Sequence, residues 1–199
     1  MIIGITGNFG AGKTTIAGMF GKLGAQVIDA DCIAHKIINK DAAVYKKLLA
    51  CFGKVILTGP YISRKRLADI VFSDKKKLRK LNRITHPKIL DIIKSKIKNS
   101  SRSAILVVDA PLLIEAGLLS WVDKLIVVKS KSTVLSKRLK EKGIDSSQIQ
   151  RRLNVQMKEN KKLKLANFIV DNSGSLSQTA KQVKDIWVKI SSGMTCATK

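Results

Sequence analysis

Gly7-Asn8-Phe9-Gly10-Ala11-Gly12-Lys13-Thr14 is the stretch that decides the fold of this 199-residue chain. It satisfies the pattern GxxxxGK[ST] and stands where such a loop must stand, directly behind the apolar run Ile2–Thr6 and at the head of a helical stretch. Its glycines allow positive φ and close backbone approach, so successive N–H groups can turn toward phosphate oxygens. The helix that opens near Lys13 points its N-terminal dipole at the same anion. Lys13 can reach the β- and γ-phosphates, and the Thr14 hydroxyl can ligate magnesium. The stretch reads as a nucleotide site.

Outward from it, four more short apolar runs follow: Gln26–Asp29, Ala104–Asp109, Lys124–Val128 and Phe168–Asp171. They lack polar alternation, as strands covered on both faces of a parallel sheet do. Helical stretches lie between them, so the pattern predicts an α/β, doubly wound fold with a five-stranded parallel sheet. About twenty residues separate the first two runs, enough for one crossover helix, whereas about seventy-five separate the second from the third. That long excursion carries helical patterns at Cys32–Lys40, Ala43–Phe52, Arg64–Val71, Asp74–Ile84 and Pro87–Lys98, with Pro87 suited to a first helical turn. A second excursion carries Ser132–Lys142, Ser147–Met157 and Lys158–Leu165, with Gly143 closing the first helix and Asp145 or Ser146 capping the next.

Composition narrows the class. The apolar share of 45% suffices for a core, and the chain fits one domain. No apolar run approaches the ~20 residues that span a bilayer, and the start shows neither a basic flank nor a cleavage site, so a soluble, cytoplasmic protein is expected. Cys32, Cys51 and Cys196 form no CxxC pair, and with only His35 and His86 beside them a zinc site is not expected. The net charge of +24 admits nucleic acid, small polyanions such as nucleotides, or simply solvated lysine-rich faces such as Lys75, Lys76, Lys77 and Lys161, Lys162, Lys164. The last reading is favoured, because the basic residues are spread along the whole chain and no aromatic residues interleave with them.

A phosphate loop alone does not separate kinases from GTPases or mechanical ATPases. Asn39-Lys40-Asp41 lacks the spacer of a guanine-reading element and comes too early, and the chain is short for a motor. The carboxylates say more. In Ile28-Asp29-Ala30-Asp31, at the end of the second strand, one acid can cap the following helix while the other faces the site as acceptor of a hydroxyl proton. Spacing leaves open whether Asp31 is that cap or that base. Asp109 ends the third apolar run, where a magnesium-organising carboxylate sits in phosphate-loop proteins, or else closes an ordinary turn before Pro111. Glu115 could face an acceptor or cap the helix holding Leu118. Arg138, Arg151 and Arg152 lie in a region dense in cations that could close over phosphates, or could be solvated helix surface.

In order and spacing, these residues resemble the dephospho-coenzyme A kinase family along nearly the whole chain. The resemblance rests on the phosphate loop, Val27–Asp31 with Ile33-Ala34-His35, and Arg64-Lys65-Arg66-Leu67 with Ile70-Val71-Phe72. It continues through Leu81-Asn82, Thr85-His86-Pro87-Lys88-Ile89, Pro111-Leu112-Leu113 with Glu115, Arg152 and Gln156, and the closing run 166–174 from Ala166 to Gly174. It implies transfer of the ATP γ-phosphoryl group to the ribose 3′-hydroxyl of dephospho-coenzyme A, with Mg2+. It implies a single kinase domain of the P-loop nucleoside-triphosphate hydrolase fold. The core would be 1–31, 101–131 and 166–199, the helical acceptor-binding insert 32–100, and the helical lid 132–165. Lys13, Asp31, Arg138 and Arg152 would be catalytic, with Asp31 the base. Gly10, Ala11, Gly12, Lys13, Thr14, Thr15, Asn172 and Gly174 would bind ATP, the last two near adenine. Asp31, Arg66, His86, Pro87, Leu112 and Glu115 would meet the acceptor, and Thr14 and Asp109 the metal. Asn8, Phe9 and Ala11 stand where the family more often has Gly, Ile and Ser, and Ile149 where it often has alanine. Another small-molecule or nucleotide kinase, or a nucleic-acid-binding ATPase, remains the alternative. ATP and dephospho-coenzyme A are the expected partners, with no specific nucleic acid and no membrane.

Overall fold

The computed structural model describes residues 1–101 and 103–195, so Cys196 lies outside the described residues. Strands run in chain order as β1 (Ile2–Gly7), β2 (Gln26–Asp29), β3 (Leu57–Thr58), β4 (Tyr61–Ile62), β5 (Leu106–Asp109), β6 (Lys124–Lys129) and β7 (Phe168–Asp171). Five of them form one parallel sheet in the order β2-β5-β1-β6-β7, and β3 and β4 make a separate antiparallel hairpin. The five expected strands are present, three with shifted ends; β5 starts at Leu106 rather than Ala104. The small hairpin was not expected, since two-residue strands carry no periodicity to read.

Helices follow as α1 (Lys13–Lys22), α2 (Ala30–Lys40), α3 (Ala42–Phe52), α4 (Arg64–Phe72), α5 (Lys75–Lys98), α6 (Ser132–Glu141), α7 (Ser146–Leu153), α8 (Glu159–Leu165) and α9 (Leu176–Thr195). Alternate residues of the apolar strands enter opposite cores. Ile3, Ile5, Val107, Ile126 and Val128 pack with Ile16 and Phe20 of α1 and with Val183 and Ile186 of α9. Leu106, Val108, Leu125 and Val127 pack on the other side with α2, α3, α4 and α5 through residues such as Ile33, Leu48, Val71 and Ile93. Both strand faces are therefore covered, which is why the runs show no polar alternation. A third, small cluster joins Leu135, Leu139 and the buried Ile149 of α6 and α7 to the ring of Phe9.

One expectation fails in the first excursion. The segments Asp74–Ile84 and Pro87–Lys98 are one 24-residue helix, with Pro87 inside it rather than in a first turn. Pro87 lacks the N–H that would bond the Arg83 carbonyl, but it is exposed, so water can satisfy that group. The caps follow sequence closely: Asp145 Oδ1 accepts from Gln148 N–H at 2.8 Å, and Gly143 takes φ +70° after α6. No helix among the described residues is long and apolar enough to cross a membrane.

Candidate active site

The loop after β1 lies at the centre of the sheet, beyond the carboxyl ends of the strands and between neighbours β5 and β6. Gly10 and Gly12 take φ +84° and +93°, which bends the chain around an open concavity. A Cβ on Gly12 would collide with the Asn172 side-chain amide. No side chain caps α1, so its first N–H groups remain free for an anion. The Lys13 ammonium donates to the Asn8 carbonyl at 3.1 Å and lies 7% exposed. Burial lowers its pKa, and the opposing pull of Asp109 and then Asp31 is the largest influence keeping it charged. Thr14 and Thr15 are exposed at the head of the helix.

Register brings the acids together. Asp29 of β2 is the ladder partner of Asp109 of β5, so both strand ends finish beside the loop. Asp29 is the helix cap: its Oδ1 accepts from Cys32 N–H at 2.8 Å. Asp31, in the first turn of α2, accepts no hydrogen bond from the described residues and faces the cavity below. Its side chain opens to solvent at the cavity mouth, yet the surrounding protein removes enough water to raise its pKa, against the pull of Lys13. The cap of α2 is thus Asp29, which leaves the Asp31 carboxylate free of that role.

Asp109 is 3% exposed, and its Oδ2 accepts from the Thr14 hydroxyl at 2.9 Å. Its Oδ1 is buried without any partner among the described residues. Burial pushes its pKa up to about 6, against the Thr14 bond and Lys13. An unsatisfied buried carboxylate oxygen next to a hydroxyl is a donor set that fits a hard divalent cation.

Beside this point opens a cavity of about 830 Å³, walled by α2, α4, α5, α7 and the turn after β5. Its interior is apolar, with Leu67, Val71, Leu81, Ile89, Leu112 and Leu118, and its margin carries Arg64, Lys65, Arg151 and Arg152. His35 and His86 also line it, each with its pKa lowered by burial. Such a site takes an elongated ligand with an apolar arm and anionic groups at one end. Among the expected acceptor residues, Asp31, His86 and Leu112 line the cavity, and three do not. Arg66 donates to the Leu57 carbonyl of the hairpin instead, while neighbours Arg64 and Lys65 line the cavity. Pro87 is exposed on the other side of α5. Glu115 turns toward the second excursion, accepting from Met157 N–H at 2.7 Å and pairing with Lys162 at 3.2 Å.

Lys162 was expected on a solvated face and is instead fully buried, its ammonium also donating to the Pro111 carbonyl at 3.3 Å. No local pattern distinguishes it from Lys161 or Lys164; only the distant Glu115 does. Removing the acid would leave a cation buried with one carbonyl partner. Glu115→Ala should therefore cost about 2 kcal/mol, below the usual ~3–5 kcal/mol because that carbonyl remains. The double change Glu115→Leu with Lys162→Met should recover most of the loss, as read from urea midpoints.

Asn172 is 3% exposed and braces the loop. Its amide donates to the Ala11 carbonyl at 2.8 Å, and its Oδ1 accepts from Thr179 Oγ1 at 3.0 Å. Gly174 lies against Gln178, whose side chain occupies the space a Cβ would need. The three basic residues of the second excursion differ in what holds them. Arg138 donates to the Asn172 carbonyl at 2.9 Å, and Arg151 bonds Ser147 within α7. Arg152 has no hydrogen bond or ion pair among the described residues; its guanidinium lies over the rings of Phe9 and Phe72, at 4.5 and 5.2 Å. That aromatic contact was not legible beforehand, because its two rings are far apart in sequence.

Comparison with known proteins agrees with this geometry. The family model described as dephospho-CoA kinase matches residues 1–178. A dephospho-CoA kinase of Aquifex aeolicus is 43% identical over 94% of this chain and 96% of its own. One from Carboxydothermus hydrogenoformans is 41% identical over 94% and 93%. The solved dephospho-CoA kinase from Campylobacter jejuni superposes with a TM-score of 0.70 at 29% identity, covering 96% of this chain and 98% of that one. A shikimate kinase from Acinetobacter baumannii, at 14% identity and a TM-score of 0.56, shares the fold. With the family model matched over residues 1–178 and relatives at 41–43% identity along nearly the whole chain, the chain belongs to the dephospho-CoA kinase family.

Proposed function

We infer that this chain transfers the γ-phosphoryl group of ATP to the ribose 3′-hydroxyl of dephospho-coenzyme A, giving coenzyme A and ADP, the last step of coenzyme A biosynthesis. The observation that carries the reading is the position of Asp31, unbonded at the mouth of the amphipathic cavity and electrostatically coupled to Lys13. The loop 7–14 and the head of α1 cradle the donor phosphates. Lys13 holds the β- and γ-oxygens, balancing charge as the phosphoryl group moves. Asp31 accepts the proton of the attacking hydroxyl and orients it in line. Thr14 and Asp109 would hold Mg2+, which when bound neutralises phosphate charge. The apolar cavity takes the pantetheine arm, and Arg64 and Lys65 its phosphates.

In this reading α2 from Cys32 onward and α3–α5 make the acceptor-binding insert within 32–100, and α6–α8 are a lid within 132–165 that excludes water. Arg138 serves the lid by holding the 172–174 turn, and Arg152 meets the transferred group. Asn172 supports ATP binding through the Ala11 carbonyl, and Glu115 supports the acceptor wall through Lys162. An enzyme of this kind works where ATP and its acceptor are made, in the cytoplasm.

The test is product analysis by mass spectrometry after mixing protein, ATP, Mg2+ and dephospho-coenzyme A, with ATP omitted as the blank. Coenzyme A with one ADP per turnover is the expected result. ADP release without coenzyme A would keep the nucleotide site and assign the acceptor to another molecule.

A further inference from the structure

Two of the three loop positions that depart from the family pattern, Asn8 and Phe9, face the lid. Asn8 Nδ2 donates to Glu159 Oε2 at 3.2 Å, and Phe9 N–H donates to Gln156 Oε1 at 2.9 Å. The ring of Phe9 packs into the lid cluster of Leu135, Leu139 and Ile149. It also supports Arg152, whose guanidinium carbon lies 4.5 Å from the ring centroid. The ring centroid of Phe72, in the acceptor insert, lies 5.2 Å from the same carbon, and Phe72 lines the cavity.

A guanidinium offers two kinds of surface. Its faces bind aromatic rings, and its edge carries five N–H donors that suit phosphate oxygens. Arg152 has its guanidinium carbon over two rings and its N–H donors without a hydrogen-bond partner among the described residues, unlike Arg138 and Arg151. A hydrogen-bonded arginine would have to exchange a protein acceptor for the phosphate. One held by its faces can be fixed in place and keep all its donors. The two rings belong to the phosphate loop and to α4, so a single cation is held by two parts of the chain remote from each other and from α7. The charged groups around it are Asp31, Arg64 and Asp69.

We propose that Phe9 and Phe72 are positioning residues, an aromatic bracket that aims the free edge of Arg152 at the phosphoryl group in transit. The proposal rests on the reading of the chain as a dephospho-coenzyme A kinase. The test is steady-state kinetics on the full chain with Phe9→Leu, Phe9→Tyr, Phe72→Leu and Arg152→Ala, and with Phe9→Leu and Arg152→Ala combined. Phe9→Leu and Phe72→Leu should each lower kcat about fivefold, the size of one partly desolvated cation–aromatic contact. The KM for ATP should stay within about twofold, since the contact matters in the transition state. Phe9→Tyr, which keeps the ring face, should restore kcat. Once Arg152 is alanine, Phe9→Leu should lower kcat no further.

Multiplicative losses in the double variant, or Phe9→Tyr as slow as Phe9→Leu, would overturn the bracket. If Phe9→Leu melts before assay, Phe72→Leu in the Arg152→Ala background decides by the same criterion. An unmutated protein that makes no coenzyme A would defeat the functional reading and the bracket together. An active one with multiplicative losses would defeat the bracket alone.

Discussion

Asp31→Asn should lower turnover about 1,000-fold, within the range for loss of a general base, while ATP binding stays near its original strength. Asparagine keeps the size and the hydrogen-bond acceptor of the side chain and removes only its ability to take a proton. No hydrogen bond leans on that carboxylate, and Asp109 remains as the larger pull on Lys13: the cap of α2 is Asp29, and Asp31 has no bond of its own among the described residues. Stability should hence be almost unchanged, which separates chemistry from folding. Burial raises the Asp31 pKa and Lys13 opposes the rise, so the unmutated enzyme should lose rate on the acid side as this group protonates. The residual activity of the variant should lack that limb. Calorimetric titration with a non-hydrolysable ATP analogue checks binding, and a pH–rate profile checks the base. Turnover within about tenfold of the unmutated protein would remove Asp31 from that role.

What the sequence revealed about this site depended on whether the information was local. The phosphate loop, the five strands of the main sheet and the Gly143 cap were readable, and the cap of α7 was narrowed to Asp145 or Ser146, because each is set by a few adjacent residues. The choice between Asp29 and Asp31 was not, since it turns on which side chain reaches the Cys32 N–H. The surroundings of Lys162, Asn172 and Arg66 were not readable, for a common reason. Each is defined by a partner remote in the chain, Glu115, Ala11 and Leu57 respectively. Pro87 failed differently: long-range packing of α5 overrode a local helix breaker at a position where water could serve the unpaired carbonyl. Family resemblance supplied the chemistry of the acceptor, but its position-by-position reading placed Pro87 and Glu115 at a cavity that neither lines.

Asp109→Asn should make the metal-free protein more stable and the loaded enzyme much slower. The Asp109 carboxyl titrates at about 6 in the fold, against a reference of 3.8, because burial penalises its charged form. The folded state therefore holds its proton more tightly than the unfolded chain between those values, and stability falls as pH rises through the window. Above about pH 6 the penalty is complete, about 3 kcal/mol for that rise. Asparagine removes that penalty and keeps an acceptor for Thr14. It also places an amide N–H₂ where Oδ1 now lies without a partner, which costs ~1–2 kcal/mol. The net gain should be about 1 kcal/mol at pH 7.5, or roughly 2–4 °C in melting temperature, reversing below pH 4, where Asp109 is neutral in both states. Adding Mg2+ and ATP should invert the order at pH 7.5. The unmutated protein gains binding energy that the variant has largely lost, and turnover of the variant should fall about 100-fold. Melting curves with and without Mg2+–ATP at pH 4 and 7.5 read both effects. Equal Mg2+-dependent shifts in the two proteins would take Asp109 out of the metal site, and a gain that does not depend on pH would show that its charge is not what the fold resists.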